Sequence, residues 1–202
     1  MDLTNPYLDG DTSLEKAISK RRTIRNFTTN AISSEELSQL IWAAQGMTGA
    51  NGERTTPSAG AVYPLTLYVV VGNVSGVSTG LYRYKSKEHK IAKVSNEDLR
   101  AQLYKFAIDD QPWILEAATI FVVVSDFALI RSHFQSQPPV GLRGYRYAYI
   151  ETGALAENVS LQAVSLNLGV VLVGGFDDQA ISQTMDLPTD LGPTAMLCIG
   201  KI

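Results

Sequence analysis

Apolar positions in this chain recur at two periods, and the clearest stretch carries both. From Arg146 to Asp177 the run RYAYIETGALAENVSLQAVSLNLGVVLVGGFD reads as one long helix, a short strand and a glycine pair. At ~100° per residue, Glu151, Asn158, Gln162 and Ser165 fall on one narrow stripe. The opposite side carries the small residues Gly153, Ala156, Ser160 and Ala163, while Leu155, Val159, Leu161, Leu166 and Leu168 add apolar surface. A helix with so little polar surface is a buried one, and its small residues admit a close neighbour. The pattern puts Gly169 just past the helix end, where a residue without Cβ is favoured. Val170–Val173 then reads as a buried strand. Gly174-Gly175 follows and exposes backbone N–H groups where a ligand can approach; a tight turn beside the core would produce the same pattern.

Elsewhere the same periods predict a short helix over Ser13–Lys20 and a helix from Ser33 to Gly46. Ser33 with Glu36 fits a capping box, and Glu35 and Glu36 suit the positive helix start. Leu65–Val71 reads as a buried strand, and Gly80–Val94 as a hairpin whose lysines suit an edge. Asn96 is placed to cap a helix over Glu97–Ala107, and Gln111-Pro112-Trp113 breaks the chain. Ala118–Val124 is apolar on both faces and therefore central. Phe127–Phe134 and Asp178–Met185 read as short helices, and Thr194–Gly200 as a last strand. Strands interleaved with helices, some joined as hairpins, give an α+β sandwich with a mixed sheet. The 202 residues carry no repeat or dividing linker and read as one domain. A central helix this apolar needs cover on every side, which predicts a homodimer.

Composition narrows the function classes. The formal charge of −3 gives no reason to expect nucleic acid or an anionic membrane as partner. No apolar run reaches membrane-span length, and the first residues, MDLTNPYLDGD, do not read as a secretory signal. Cys198 is the only cysteine and sits in an apolar run, which fits a reducing cytoplasm. His89 and His133 stand apart from carboxylate or cysteine clusters, so no protein-held metal is expected. No G-x-S-x-G elbow supports a hydrolase.

Two further stretches have chemical content. In Arg21-Arg22-Thr23-Ile24-Arg25, three arginines and a threonine lie within five residues. In extended chain Arg21, Thr23 and Arg25 point the same way, and convergent guanidinium forks with a hydroxyl suit a phosphate dianion; a solvated basic surface is the competing reading. Met47–Ala61 is a loop of about fifteen residues, long enough to suggest function. It ends in Thr56-Pro57-Ser58-Ala59-Gly60-Ala61, whose small residues leave a flat backbone against which a planar ring can lie.

Taken together, these pieces resemble the nitroreductase superfamily of FMN-dependent oxidoreductases, and within it the SagB-type dehydrogenase branch. The resemblance runs from Lys16 to Gly200 through Arg21-Arg22-Thr23-Ile24-Arg25-Asn26-Phe27, Leu40–Gly46 and Thr56–Pro64. It continues through Gly80–Tyr84, Gly144-Tyr145-Arg146-Tyr147, Glu151-Thr152-Gly153 and Gly174-Gly175-Phe176-Asp177. It implies an intertwined homodimer with a mixed sheet, a long buried central helix and two FMN sites at the interface. The residues matching Arg21, Arg22, Thr23 and Arg25 then hold the phosphate and ribityl chain. Those matching Pro57, Ser58, Ala59 and Gly60 line the flavin ring from the partner subunit. Val173, Gly174 and Gly175 belong to the turn whose amides lie near flavin N5 and O4. Gln111 is placed to face the ring, and Lys201 to reach the phosphate.

The implied activity is hydride transfer from NAD(P)H through flavin N5 to a small electron-poor acceptor such as a nitro compound or quinone. No side chain need act as catalytic acid or base, because the flavin supplies the chemistry. Alternatives are a SagB-type dehydrogenase oxidising a peptide- or metabolite-derived C–N bond, and a flavin-binding dimer without turnover. Against the azoline-oxidising members, Pro139-Val140 stands where Lys-Tyr is usual, and Ala154 where a histidine often follows Glu-x-Gly. Ala61 replaces an asparagine common in nitroreductases, and Gly174 a glutamate.

Overall fold

A computed structural model describes residues 1–202. Its helices are α1 (Leu14–Lys20), α2 (Ser34–Gln45), α3 (Arg100–Lys105), α4 (Trp113–Glu116), α5 (Phe127–His133), α6 (Arg143–Ser165) and α7 (Asp178–Thr184). Its strands are β1 (Leu65–Val71), β2 (Gly80–Lys85), β3 (Lys90–Ser95), β4 (Thr119–Asp126), β5 (Leu168–Val173) and β6 (Leu191–Lys201). They form one sheet in the order β3-β2-β1-β4-β6-β5. The continuous apolar run of β4 is central, as its two-sided hydrophobicity requires. Every pairing is antiparallel, so the mixed sheet expected from the sequence is not formed within this chain.

Strand alternation sorts the core into two layers. Leu65, Leu67, Val69 and Val71 meet Leu37, Leu40 and Ile41 of α2 and Leu155 and Val159 of α6. Tyr68 and Val70 face the other way, toward Leu103 of α3, Ile114 of α4 and Ile181 of α7. Helices therefore cover both faces of the sheet, giving the α/β sandwich. The Ser33–Glu36 capping box forms as expected, each residue's side chain bonding the other's amide at 2.8 and 3.1 Å. No helix is long and apolar enough to cross a membrane.

Three local readings change. Helix α6 ends at Ser165, and Asn167 rather than Gly169 takes the left-handed position, at φ 55°. Gly169 lies inside β5, where a Cβ would meet Ile202 at 2.6 Å and Ile24 at 2.7 Å; a close neighbour, not a turn, requires that glycine. Asn96 caps no helix: α3 starts only at Arg100, whose amide bonds the Asp98 carboxylate at 3.2 Å.

The polar stripe of α6 is structural. Glu151 Oε1 accepts from the Ala59 amide at 2.8 Å, and Asn158 Nδ2 donates to the Thr55 carbonyl at 3.0 Å. Gln162 Oε1 accepts from Gln39 of α2 at 3.1 Å. Ala156 and Ala163 on the small-residue side are buried in the core, whereas the N-terminal half also leaves an open patch: Ile150 is 59% exposed, and nothing lies within 4 Å of a Cβ built on Gly153.

Candidate functional site

Strand β5 is an edge strand, and the segment carrying the arginines runs along its free side. The Ile24 amide bonds the Val170 carbonyl at 3.0 Å, and the Thr28 amide bonds the Lys201 carbonyl at 2.8 Å. Two glycines allow this approach. Gly169 admits Ile24, and Gly200 admits Phe27, whose ring would lie 2.8 Å from a Cβ there. The sheet edge is thereby covered by chain that is apolar inward and basic outward: Ile24 and Phe27 are half-buried, while Arg22, Thr23 and Arg25 are exposed.

Four residues past Val170, the chain leaves the sheet at Gly174-Gly175. The carbonyl side of this turn is tied down. Gly175 O accepts from the Ile108 amide at 2.9 Å and from Gln111 Nε2 at 3.0 Å, and the same Nε2 donates to Ile108 O at 2.7 Å. The amide side is free: neither Gly174 N–H nor Gly175 N–H donates to any backbone carbonyl. Gly174 is exposed, and nothing lies within 4 Å of a Cβ built there. Backbone donors left unpaired beside open space are set up for an acceptor from outside the chain. Val173 is buried beneath the turn.

Trp113, at the start of α4, joins the arginine segment to this turn. The Arg25 guanidinium lies 5.2 Å from its ring centroid, and its indole Nε1 is buried without a partner. Arg25, Gln111, Gly174 and Gly175 thus form one neighbourhood. Trp113 is the residue that sequence reading missed; its only signal was the Gln-Pro-Trp break, which marks a helix start without naming what the ring touches.

The other cations spread rather than converge. Arg21 Nε lies 3.5 Å from Glu157 of α6 in an exposed pair. Arg22 turns back to the end of α1, donating to Ser19 O at 3.1 Å and Arg21 O at 2.7 Å. Lys201 Nζ is held by Glu36 Oε1 at 2.5 Å. Free carbonyls at a helix C-terminus and a carboxylate at a helix start satisfy these groups when no dianion competes.

Pro57–Gly60 is held by different elements. The Ala59 amide bonds Glu151, and Ser58 Oγ accepts from the Tyr63 amide at 2.8 Å. Gly60 sits at φ 60°, with His133 3.0 Å from where its Cβ would be. Burial pushes the Glu151 carboxyl above the usual carboxylate range, against the bonds from Ala59 and Ser58 that lower it. No hydrogen bond or ion pair joins this segment to the arginines or to the Gly174 turn.

The donor set suits an elongated ligand with a dianionic end and a planar, acceptor-bearing end. From the Ile24–Val170 contact to Gly174 the strand advances about 13 Å, at ~3.3 Å per residue. Exposed basic residues and free amides therefore lie along one sheet edge, a donor set compatible with FMN.

Comparisons with known proteins show the family. The model described as "Nitroreductase family" matches residues 18–201. The chain is 34% identical over 187 residues to "Putative nitroreductase MJ1384" of Methanocaldococcus jannaschii, covering 93% of this chain and 90% of that one. It is 24% identical to the FMN reductase [NAD(P)H] of Bacillus subtilis, covering 92% of this chain and 64% of that protein. Among solved structures, a "putative nitroreductase" of Ralstonia eutropha superposes with a TM-score of 0.83 at 27% identity, covering 98% of this chain and 87% of that one.

Proposed function

The chain belongs to the nitroreductase family, and from that premise we propose that it is an FMN-dependent oxidoreductase, working as a homodimer. It takes a hydride from NAD(P)H and delivers it to a small electron-poor acceptor such as a nitro compound or quinone. The observation that carries this reading is the pair of unpaired amides at Gly174-Gly175, beside the Arg25–Trp113 contact. FMN, when bound, supplies hydride acceptance and donation at its N5.

The protein's part is binding, orientation and electrostatics. Arg21, Arg22, Thr23 and Arg25 hold the phosphate, and Lys201 adds its charge once released from Glu36. The unpaired Gly174 and Gly175 amides would donate to the acceptor atoms of a bound flavin, where fixed donors would stabilise developing negative charge without reorganising. Val173 supports the turn from below. Gln111 bonds the Gly175 carbonyl and so keeps both amides pointing outward. Pro57, Ser58, Ala59 and Gly60, with the Ala59 amide held by Glu151, would line the ring bound by the partner subunit. No side chain is required as a general acid or base.

The test is the visible spectrum of purified protein before and after anaerobic NADPH or NADH. Flavin bands that bleach on addition are expected. No bands, even after FMN is supplied, would remove the cofactor; an FMN-replete protein that oxidises neither nucleotide with any acceptor would remove the reductase assignment.

A further inference from the structure

Away from the Gly174 turn, a cavity of about 320 Å³ opens where β1 and β2 meet the loop before Pro57. Its lining carries Arg54, Arg83, Lys85 and Lys87 against one acid, Glu88. In a chain of net charge −3 this is a local reversal of sign.

Arg54 is the unusual member. Its guanidinium is half-buried, yet no carboxylate lies within ion-pair distance. Its single hydrogen bond runs from Nη1 to Gln45 Oε1 at 2.8 Å, and its Nε is buried with no acceptor. The Tyr63 ring lies 4.5 Å beneath it and fixes its plane. Glu53, its neighbour in sequence, and Glu88, the acid in the lining, each face another group. Glu53 takes the amide and side chain of Asn51 at 2.9 and 3.2 Å, and Glu88 faces Lys90 at 3.9 Å. Arg83 has no ion pair either. Tyr84, also in the lining, has its hydroxyl pushed up to about 12 by burial and stays neutral, so it offers no counter-charge.

A half-buried cation without a carboxylate partner carries a desolvation cost, and the cost falls when an anion fills the site. A guanidinium with one edge unpaired matches two oxygens of a phosphate in the fork geometry. We propose that this cavity binds a phosphate monoester, with Arg54 as the principal ligand and Arg83 and Lys85 as supporting charge. The site stands apart from the proposed FMN-phosphate residues and does not depend on the flavin assignment.

The experiment is thermal unfolding and calorimetric titration with inorganic phosphate at constant ionic strength, with chloride as control. It uses FMN-saturated protein, so that Arg21 and Arg25 are already occupied. If FMN does not bind, the Arg21→Ala/Arg25→Ala protein serves instead, which keeps the two assignments separable. Wild type should gain about 3 °C in Tm at ten times Kd. Arg54→Gln should lose the gain and bind phosphate at least tenfold more weakly, while Arg54→Lys falls between. Without phosphate, Arg54→Gln should be at least as stable as wild type, since it removes an unpaired charge. Comparing 2′-AMP with inorganic phosphate distinguishes the sources: tighter, Arg54-dependent binding of 2′-AMP points to a nucleotide ribose phosphate, and equal binding to the free anion. An absent response in wild type, or an equal one in Arg54→Gln, overturns the proposal.

Discussion

Gly169 and Ile24 stand so close that a Cβ on Gly169 would lie 2.7 Å from Ile24 Cγ2 and 3.0 Å from its Cβ. The contact seats the arginine segment on the edge of β5, next to the Ile24–Val170 hydrogen bond. Ile24 Cβ is near its own backbone, so the segment itself must move to admit a methyl group. Gly169→Ala is expected to cost about 1–3 kcal/mol of stability, the usual range for overpacking, and to weaken FMN binding although residue 169 touches no ligand. Denaturant unfolding and FMN titration check both. Unchanged FMN affinity would mean that the seating of Ile24 does not position the arginines.

The arginines themselves are open to a sharper test. Charge-assisted hydrogen bonds are worth about 1.5–3 kcal/mol each. Arg21→Ala/Arg25→Ala should therefore weaken FMN binding by two orders of magnitude or more while leaving riboflavin, which lacks the phosphate, almost unaffected. An equal loss for both ligands would place these residues elsewhere on the flavin. FMN kept through dialysis as in wild type would refute the phosphate assignment.

At Gly174 the prediction separates binding from folding. Nothing lies within 4 Å of a Cβ there and the residue is exposed, so Gly174→Val should change stability by no more than about 0.5 kcal/mol. The added side chain projects into the space in front of the free amides and should reduce FMN affinity at least tenfold. A variant that unfolds early would show that the turn is packed in a way the open Cβ position contradicts.

Much of this arrangement was legible in the sequence, and the failures have physical causes. The Ser33–Glu36 cap, the central β4 and the glycine turn are local patterns whose periods survive packing. The end of α6 was misplaced because Asn167 and Gly169 lie two apart and either can follow a helix; only the crowding by Ile24 and Ile202, distant in sequence, shows what Gly169 is for. The mixed sheet failed likewise, since strand direction is set by long-range pairing. Period two placed Arg21, Thr23 and Arg25 on one side, but not that Arg21 would lean to Glu157 and Arg25 to Trp113.

Glu151 gives a pH dependence of definite sign. Burial raises its folded-state pKa above the ordinary range of a glutamate, with the Ala59 and Ser58 bonds opposing. The native state therefore binds the proton more tightly than the unfolded chain does, and this group's contribution to stability falls as pH rises from about 4.5 through the raised folded value. Glu151→Gln keeps an acceptor for the Ala59 amide and removes the ionisation. It should flatten that limb of the stability profile, whereas Glu151→Ala leaves the amide unpaired and loosens Pro57–Gly60. Urea unfolding between pH 4 and 7 (approximate limits) reads the slope, and an identical slope in Glu151→Gln would assign it to another group.

The open side of α6 decides whether the site is shared between two chains. Pro57–Gly60 makes no hydrogen bond to the Gly174 turn within one chain, and on the proposed reading it lines the ring bound by a second copy. Exposed Ile150 and open Gly153 mark the surface where that copy would pack. Ile150→Lys puts an unpaired charge there, at a cost of about 3–5 kcal/mol once buried, while the isolated chain should tolerate it because the position is exposed. Sedimentation should then show a monomer that keeps its fold, and FMN affinity should fall with it because half of the ring's enclosure has left. A monomer that retains wild-type FMN affinity would confine the site to one chain and leave Glu151 and Pro57–Gly60 outside it. A variant that remains dimeric would move the interface to another face.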